Sequence, residues 1–110
     1  MIRIDAVWLA VAPMDMRAGP DTALARVVAV FGSAQPHHAY VFANARATRM
    51  KLLVHYGLGL WLAARRLHNG KFNWASGPEP GLPISSSQLN ALVLGLPLQR
   101  MGHTGAITLV

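Results

Sequence analysis

A chain of 110 residues with 53% apolar and only 13% charged side chains can build one folded core and lacks the polar, highly charged make-up of a disordered polypeptide. Ten Lys and Arg against four acids give a formal charge of +6, which suits polyanionic partners such as DNA, RNA or an anionic membrane surface. The absence of cysteine excludes disulfides, thiolate metal ligands and cysteine nucleophiles.

The opening "MIRIDAVWLAVAPMD" does not follow signal-peptide order, because Asp5 precedes a short apolar run that stops at Pro13. Within it, "VWLAVA" (7–12) is short and bulky enough to predict a buried strand. Pro20 and Asp21 suit the first turn of a helix, Leu24, Val27, Val28 and Phe31 recur at helical spacing, and Gly32 stops it. The middle reads as a β-meander: "AYVF" (39–42) and "MKLLVHY" (50–56) are β-prone and separated by the turn-forming "ANARATR". Asn69-Gly70 signals a type I′ hairpin, which predicts antiparallel pairing of 60–67 with 71–74. A helix over "LWLAARRL" is the competing reading, since its alanines and arginines tolerate one.

"ASGPEPGLP" (75–83) is rich in Pro and Gly and reads as a surface connection. Ser85 and Gln88 then form a capping box, flanked by Ile84 and Leu89 as a hydrophobic staple. Leu89, Leu92, Val93 and Leu96 supply the apolar face of this second helix, which Gly95 and Pro97 end. The tail carries "AITLV", a candidate strand for a sheet edge or a partner subunit, or a flexible end over 103–110. The longest greasy run, Leu52 to Ala64, falls short of the roughly 18 residues a bilayer span needs, and His55, Gly57 and Gly59 break it. The expected fold is therefore α+β in a single domain: an antiparallel four- to five-stranded sheet with two helices packed on one face.

Six of the ten basic residues, Arg46, Arg49, Lys51, Arg65, Arg66 and Lys71, fall within 46–71, and no acid occurs between Thr22 and Pro78. Arg offers forked, permanently charged donors that match phosphate oxygens, so a DNA-phosphate surface is the leading expectation. A solvated face that merely keeps an apolar domain soluble is the competing account. If 60–67 is a strand, Arg65 and Arg66 point to opposite faces unless a bulge or the strand's end intervenes. Phe72, Trp74 and Trp61 read as core aromatics before they read as base-stacking platforms.

Catalysis finds little support. The acids are Asp5, Asp15, Asp21 and Glu79, three of them in the first 21 residues, which does not suit a carboxylate-held two-metal site. His37, His38, His55, His68 and His103 show no zinc-ligand spacing, and His37 and His38 suit a turn. Serines 85–87 are accounted for by capping, and neither a Gly-x-Ser-x-Gly elbow nor a glycine-rich phosphate loop is present. No enzyme activity, metal or cofactor is expected.

Three blocks in order carry a resemblance: "APMDMRAGPDTAL" (12–24), "YVFANARATRMKLLVHYGLGLWLAARRLHNGKFNW" (40–74) and "ISSSQLNALVLGL" (84–96). Together they resemble the TnpB-type accessory protein, the second reading frame, of the IS-sixty-six class of bacterial insertion sequences. Asp15, Met16, Arg17 and Gly19 match that family's Asp-Met-Arg-x-Gly start. Phe42, Asn44, Arg46, Lys51, Leu52, Leu53, Gly59, Trp61, Leu62, Arg65, Arg66, Leu67, Gly70, Phe72 and Trp74 fall where it places the same or like residues. Tyr56 and His68 stand where the family often carries an acid, and Ala75 where Pro usually follows the Trp. The resemblance implies an accessory part in transposition, in the bacterial cytoplasm at the nucleoid, beside a larger transposase that cuts and joins DNA. The partners it implies are the element's DNA ends, the transposase and other accessory proteins, with a homo-oligomer left open and no membrane. Asp15 and Arg17 are read either as an ion pair fixing the strand-to-helix turn or as an interaction site. The runner-up function is a protein-interaction module bridging transposase and accessory subunits through the second helix or the "AITLV" edge. An RNA or single-strand binder stacking bases on Trp61 or Trp74 is a third class.

Overall fold

Val7 and Leu9 point to one side of a strand and Trp8 and Ala10 to the other, and all but Trp8 are buried, so both faces of that strand must be covered. The computed structural model describes residues 4–56, 58–67 and 70–94. Along it run β1 (Ala6–Ala10), α1 (Pro20–Phe31), β2 (His38–Ala43), β3 (Arg49–Tyr56), β4 (Gly59–Arg66), β5 (Gly81–Ile84) and α2 (Ser86–Leu94). The strands form one sheet in the order β4-β3-β2-β1-β5.

The expected all-antiparallel sheet is corrected by its centre. β1 and β2 run parallel, with Trp8 beside Tyr40 and Leu9 beside Val41, because α1 carries the chain back to the end where β1 began. β2–β3, β3–β4 and β1–β5 are antiparallel, so the sheet is mixed. Pro20 opens α1 and Gly32, at φ 89°, closes it by donating its N–H to Val28 O at 2.9 Å. That left-handed conformation favours glycine.

The two helices lie on opposite faces rather than on one. Ala23 and Val27 of α1 pack with Tyr40, Phe42 and Leu53. Leu92 of α2 packs with Val7, Val41 and Val54, and Leu89 and Ile84 adjoin that second cluster. Tyr40 and Val41 are neighbours on one strand, so the clusters are on opposite sides. β2 is buried at five consecutive positions, and one layer of helices could not cover both of its faces. This arrangement also turns Leu89 and Leu92 inward, away from any partner.

Residues 60–67 do not pair with 71–74. β4 instead pairs with β3, Val54 beside Trp61 and Leu53 beside Leu62, which also excludes the helical reading. Beyond Gly70 the chain leaves the sheet and crosses its α2 side. There Phe72 is buried, its N–H donates to Ala47 O at 2.6 Å, and the Trp74 Nε1–H donates to Ala10 O at 2.8 Å. Burying these two rings in the core outweighs a short ladder at a sheet edge.

The Pro/Gly-rich stretch is not wholly a connection, since its end forms β5 against β1. Pro83 is tolerated there because β5 is an edge strand. A Cβ at Gly81 would run into the Phe31 ring, so a larger residue there would force that ring aside. The capping box at α2 is formed: Ser85 N–H donates to Gln88 Oε1 at 2.8 Å, and Gln88 N–H donates to Ser85 Oγ at 3.0 Å. Asn69, His68, Gly95, Leu96, Pro97, His103 and the "AITLV" tail lie outside the described residues. Among the described residues no helix is long and apolar enough to cross a membrane.

Candidate nucleic-acid interface

Parallel pairing of β1 with β2 puts the end of β1, the end of β2, the start of β3 and the end of β4 at one end of the sheet. Two loops meet there. In the 44–48 turn, Asn44 Oδ1 accepts from the N–H groups of Thr48 and Arg49 at 2.9 and 3.1 Å, and Asn44 Nδ2 donates to Thr48 Oγ1 at 3.1 Å. The turn holds Ala47 at φ 56°, a conformation a residue with a Cβ adopts at some cost. Arg46 stands exposed at its tip, and the Phe72–Ala47 bond brings exposed Lys71 to the same end.

The second loop joins β1 to α1 and is tied to the sheet by Met14 N–H, which donates to Ala43 O at 2.8 Å. Arg17 grips Asp15: Nη2 lies 2.7 Å from Oδ2, Nε lies 3.1 Å from both oxygens, and the Arg17 N–H donates to Oδ1 at 2.9 Å. These side-chain and backbone hydrogen bonds bring the Asp15 carboxyl down to about 2, and Asp15 raises Arg17 in turn. The pair is exposed, so it shapes the turn more than it stabilises the protein. Lys51 reaches across from β3 and donates to Ala18 O at 2.7 Å, so its ammonium partly serves the loop.

Between these loops an open concavity follows the sheet's end. One part, of about 370 Å³, is lined by Met16, Arg49, Lys51, Ala64, Arg65 and Arg66, among others. An adjoining part of about 500 Å³ shares Met16 and Arg49 and extends past Asp15, Arg17, Asn44 and Ala45. The sole carboxylate in either lining is Asp15, whose oxygens are taken by Arg17. Arg49 is directly opposite Arg66 across β3 and β4, and no described residue forms an ion pair with either. By strand alternation Arg49, Lys51 and Arg66 project on the α1 side, while Arg65 projects on the other side with Met50.

Of the six cations singled out in the sequence, Arg49, Lys51, Arg65 and Arg66 line the concavity, and Arg46 and Lys71 stand beside it at the same end. Sequence reading did not place Met16 and Arg17 in this lining. Their motif was visible, but nothing local says that a loop at residue 15 meets a turn at residue 45. The aromatics divide: Phe72 is buried and Trp74 half-buried, whereas Trp61 is 56% exposed on the side away from α1, contrary to a core role. Among the described residues no group of three or more His, Asp or Glu is placed to hold a metal ion.

Comparison with known proteins agrees with this order of motifs. The family described as IS66 Orf2 like protein matches residues 5–103. An uncharacterized protein, y4hO of Sinorhizobium fredii (strain NBRC 101917 / NGR234), is 31% identical over 91 residues, covering 82% of this chain and 79% of that protein. No solved structure matches. The match over nearly the whole sheet and both helices shows that the chain belongs to the IS66 Orf2-like family of insertion-sequence accessory proteins.

Proposed function

We propose that this protein is a non-catalytic accessory factor for transposition that binds DNA, its basic concavity taking backbone phosphates at the element's ends beside the transposase. The observation that carries the reading is the Arg49–Arg66 pair. Like charges placed directly opposite on neighbouring strands destabilise a sheet, and here no described acid offsets them. A phosphate seated between the two guanidinium groups offsets that repulsion with charge-assisted, forked hydrogen bonds. Arg46 and Lys71 extend the positive surface along a backbone's path, whereas Lys51 positions the loop and Arg17 is matched by Asp15.

The test is a titration of duplexes carrying an element end and a scrambled sequence across a salt series. Four phosphate contacts, from Arg46, Arg49, Arg66 and Lys71, give a slope of log affinity on log salt of about −3.6, at roughly −0.9 per contact; Arg65 projects on the other side of the sheet and is not counted. A slope near zero removes the proposal. Equal affinity for both duplexes assigns the protein to backbone contact, and a gap that persists in high salt assigns it to base reading.

A further inference from the structure

The two edges of the sheet are unlike. β5 is four residues long and carries Pro83, both features that discourage further pairing. β4 is eight residues long, "GLWLAARR", with no proline, and its outer side has no strand partner among the described residues. Leu67 N–H donates inward to Thr48 O. Alternation from that bond points the backbone groups of Trp61, Ala63 and Arg65 toward β3 and those of Leu60, Leu62, Ala64 and Arg66 outward.

We infer that β4 is a homodimer interface, in which a second copy of this chain adds its own β4 antiparallel and extends the sheet across a two-fold axis through Ala63. In an antiparallel pair, residues with outward backbone groups must meet residues of the same kind, which limits the register to alternate positions. The register centred on Ala63 sets Leu62 opposite Ala64 of the second copy and Leu60 opposite its Arg66. It also sets Trp61 opposite its Arg65, twice by symmetry. Every cation then faces an apolar or aromatic residue and none faces a cation, although each copy carries +6. A guanidinium over an indole face is a favourable contact. An apolar depression of about 140 Å³, lined by Met50, Leu52, Ala63 and Arg65 with Ala64 at its side, adjoins the place where the second copy's exposed Trp61 arrives.

The overlap from Leu60 to Arg66 spans about 24 Å at ~3.4 Å per residue. That is a small interface, at the weak end of specific ones, so a dissociation constant of about 10 µM is expected. Because the axis stands perpendicular to the sheet, both basic concavities project on the same face of the dimer.

Sedimentation equilibrium of the DNA-free protein, from about 1 µM to about 1 mM, tests this independently of the DNA reading. The expected result is a monomer–dimer equilibrium. Ala64→Pro removes an outward N–H while keeping the ladder to β3, and should weaken association at least tenfold. Trp61→Lys, which opposes Arg65 of the second copy, should do the same. Adding Arg65→Glu to Trp61→Lys should restore the dimer, since residues 61 and 65 of one strand are too far apart to pair with each other. A wild-type protein that stays monomeric throughout, a dimer indifferent to both single substitutions, or no recovery in the double variant overturns the inference. These sedimentation results are obtained without DNA, and the salt slope of DNA binding is measured separately on the wild-type protein.

Discussion

Replacing Arg66 with Gln should make the free protein more stable while weakening its hold on DNA. Arg66 faces Arg49 directly across β3 and β4, with no described acid paired to either. Two unit charges about 7 Å apart in water repel by ~0.6 kcal/mol, within the roughly 0.2–1 kcal/mol range of cross-strand pair effects. At about 4–8 °C per kcal/mol for a domain of this size, Arg66→Gln should raise the melting temperature by about 2–5 °C at low salt. Differential scanning calorimetry at low and high ionic strength separates charge from packing. Near 1 M salt the Debye length is about 3 Å, so the gain should vanish. In the same variant the salt slope of duplex binding should become shallower by about 0.9. Arg49→Gln should behave alike, and the double variant should gain less than the sum because one repulsion is being removed twice. A melting temperature that falls, or a gain that survives 1 M salt, refutes the argument that these arginines are held together against their own repulsion.

Three further outcomes follow from the local chemistry. Phe72→Ala empties a position only 3% exposed and should cost about 3–5 kcal/mol in urea unfolding. Ser85→Ala removes the side-chain acceptor for Gln88 N–H and should cost about 1 kcal/mol. The carboxyl resonance of Asp15 should titrate near 2, and Arg17→Gln should move it back toward the ordinary Asp range. The sign is that of a depressed carboxylate: the contribution of the Asp15–Arg17 pair is whole above the unfolded value near 3.8 and is lost as pH falls toward about 2. The loop before α1 should therefore keep its conformation at pH 4, as read from the Arg17 amide shift.

Much of the fold was legible where the signal was local. Pro20 and Gly32 mark the ends of α1, and Ser85 with Gln88 marks the start of α2, because capping depends on residues within one turn. The strands around Tyr40 and Leu53 were readable from β-prone runs for the same reason. Asn69-Gly70 misled because turn chemistry states that a chain can reverse, not which strand it will then pair with. Phe72 and Trp74 have better burial across the α2-side face than beside β4. The edge strand β5 was hidden by Pro83 and two glycines, residues that mark a loop unless an edge position accommodates them.

The sequence by itself determined the positive charge, the lack of a carboxylate cluster, the two helices and the strands of the meander, because each depends on composition or on neighbours a few residues apart. Only the tertiary structure decided that β1 lies parallel to β2. That long-range pairing sets the Asp15–Arg17 loop beside the Asn44 turn and places Arg49 against Arg66. It depends on covering both apolar faces of β2 with one helix each, a requirement of the packed sheet as a whole that no local run of residues states.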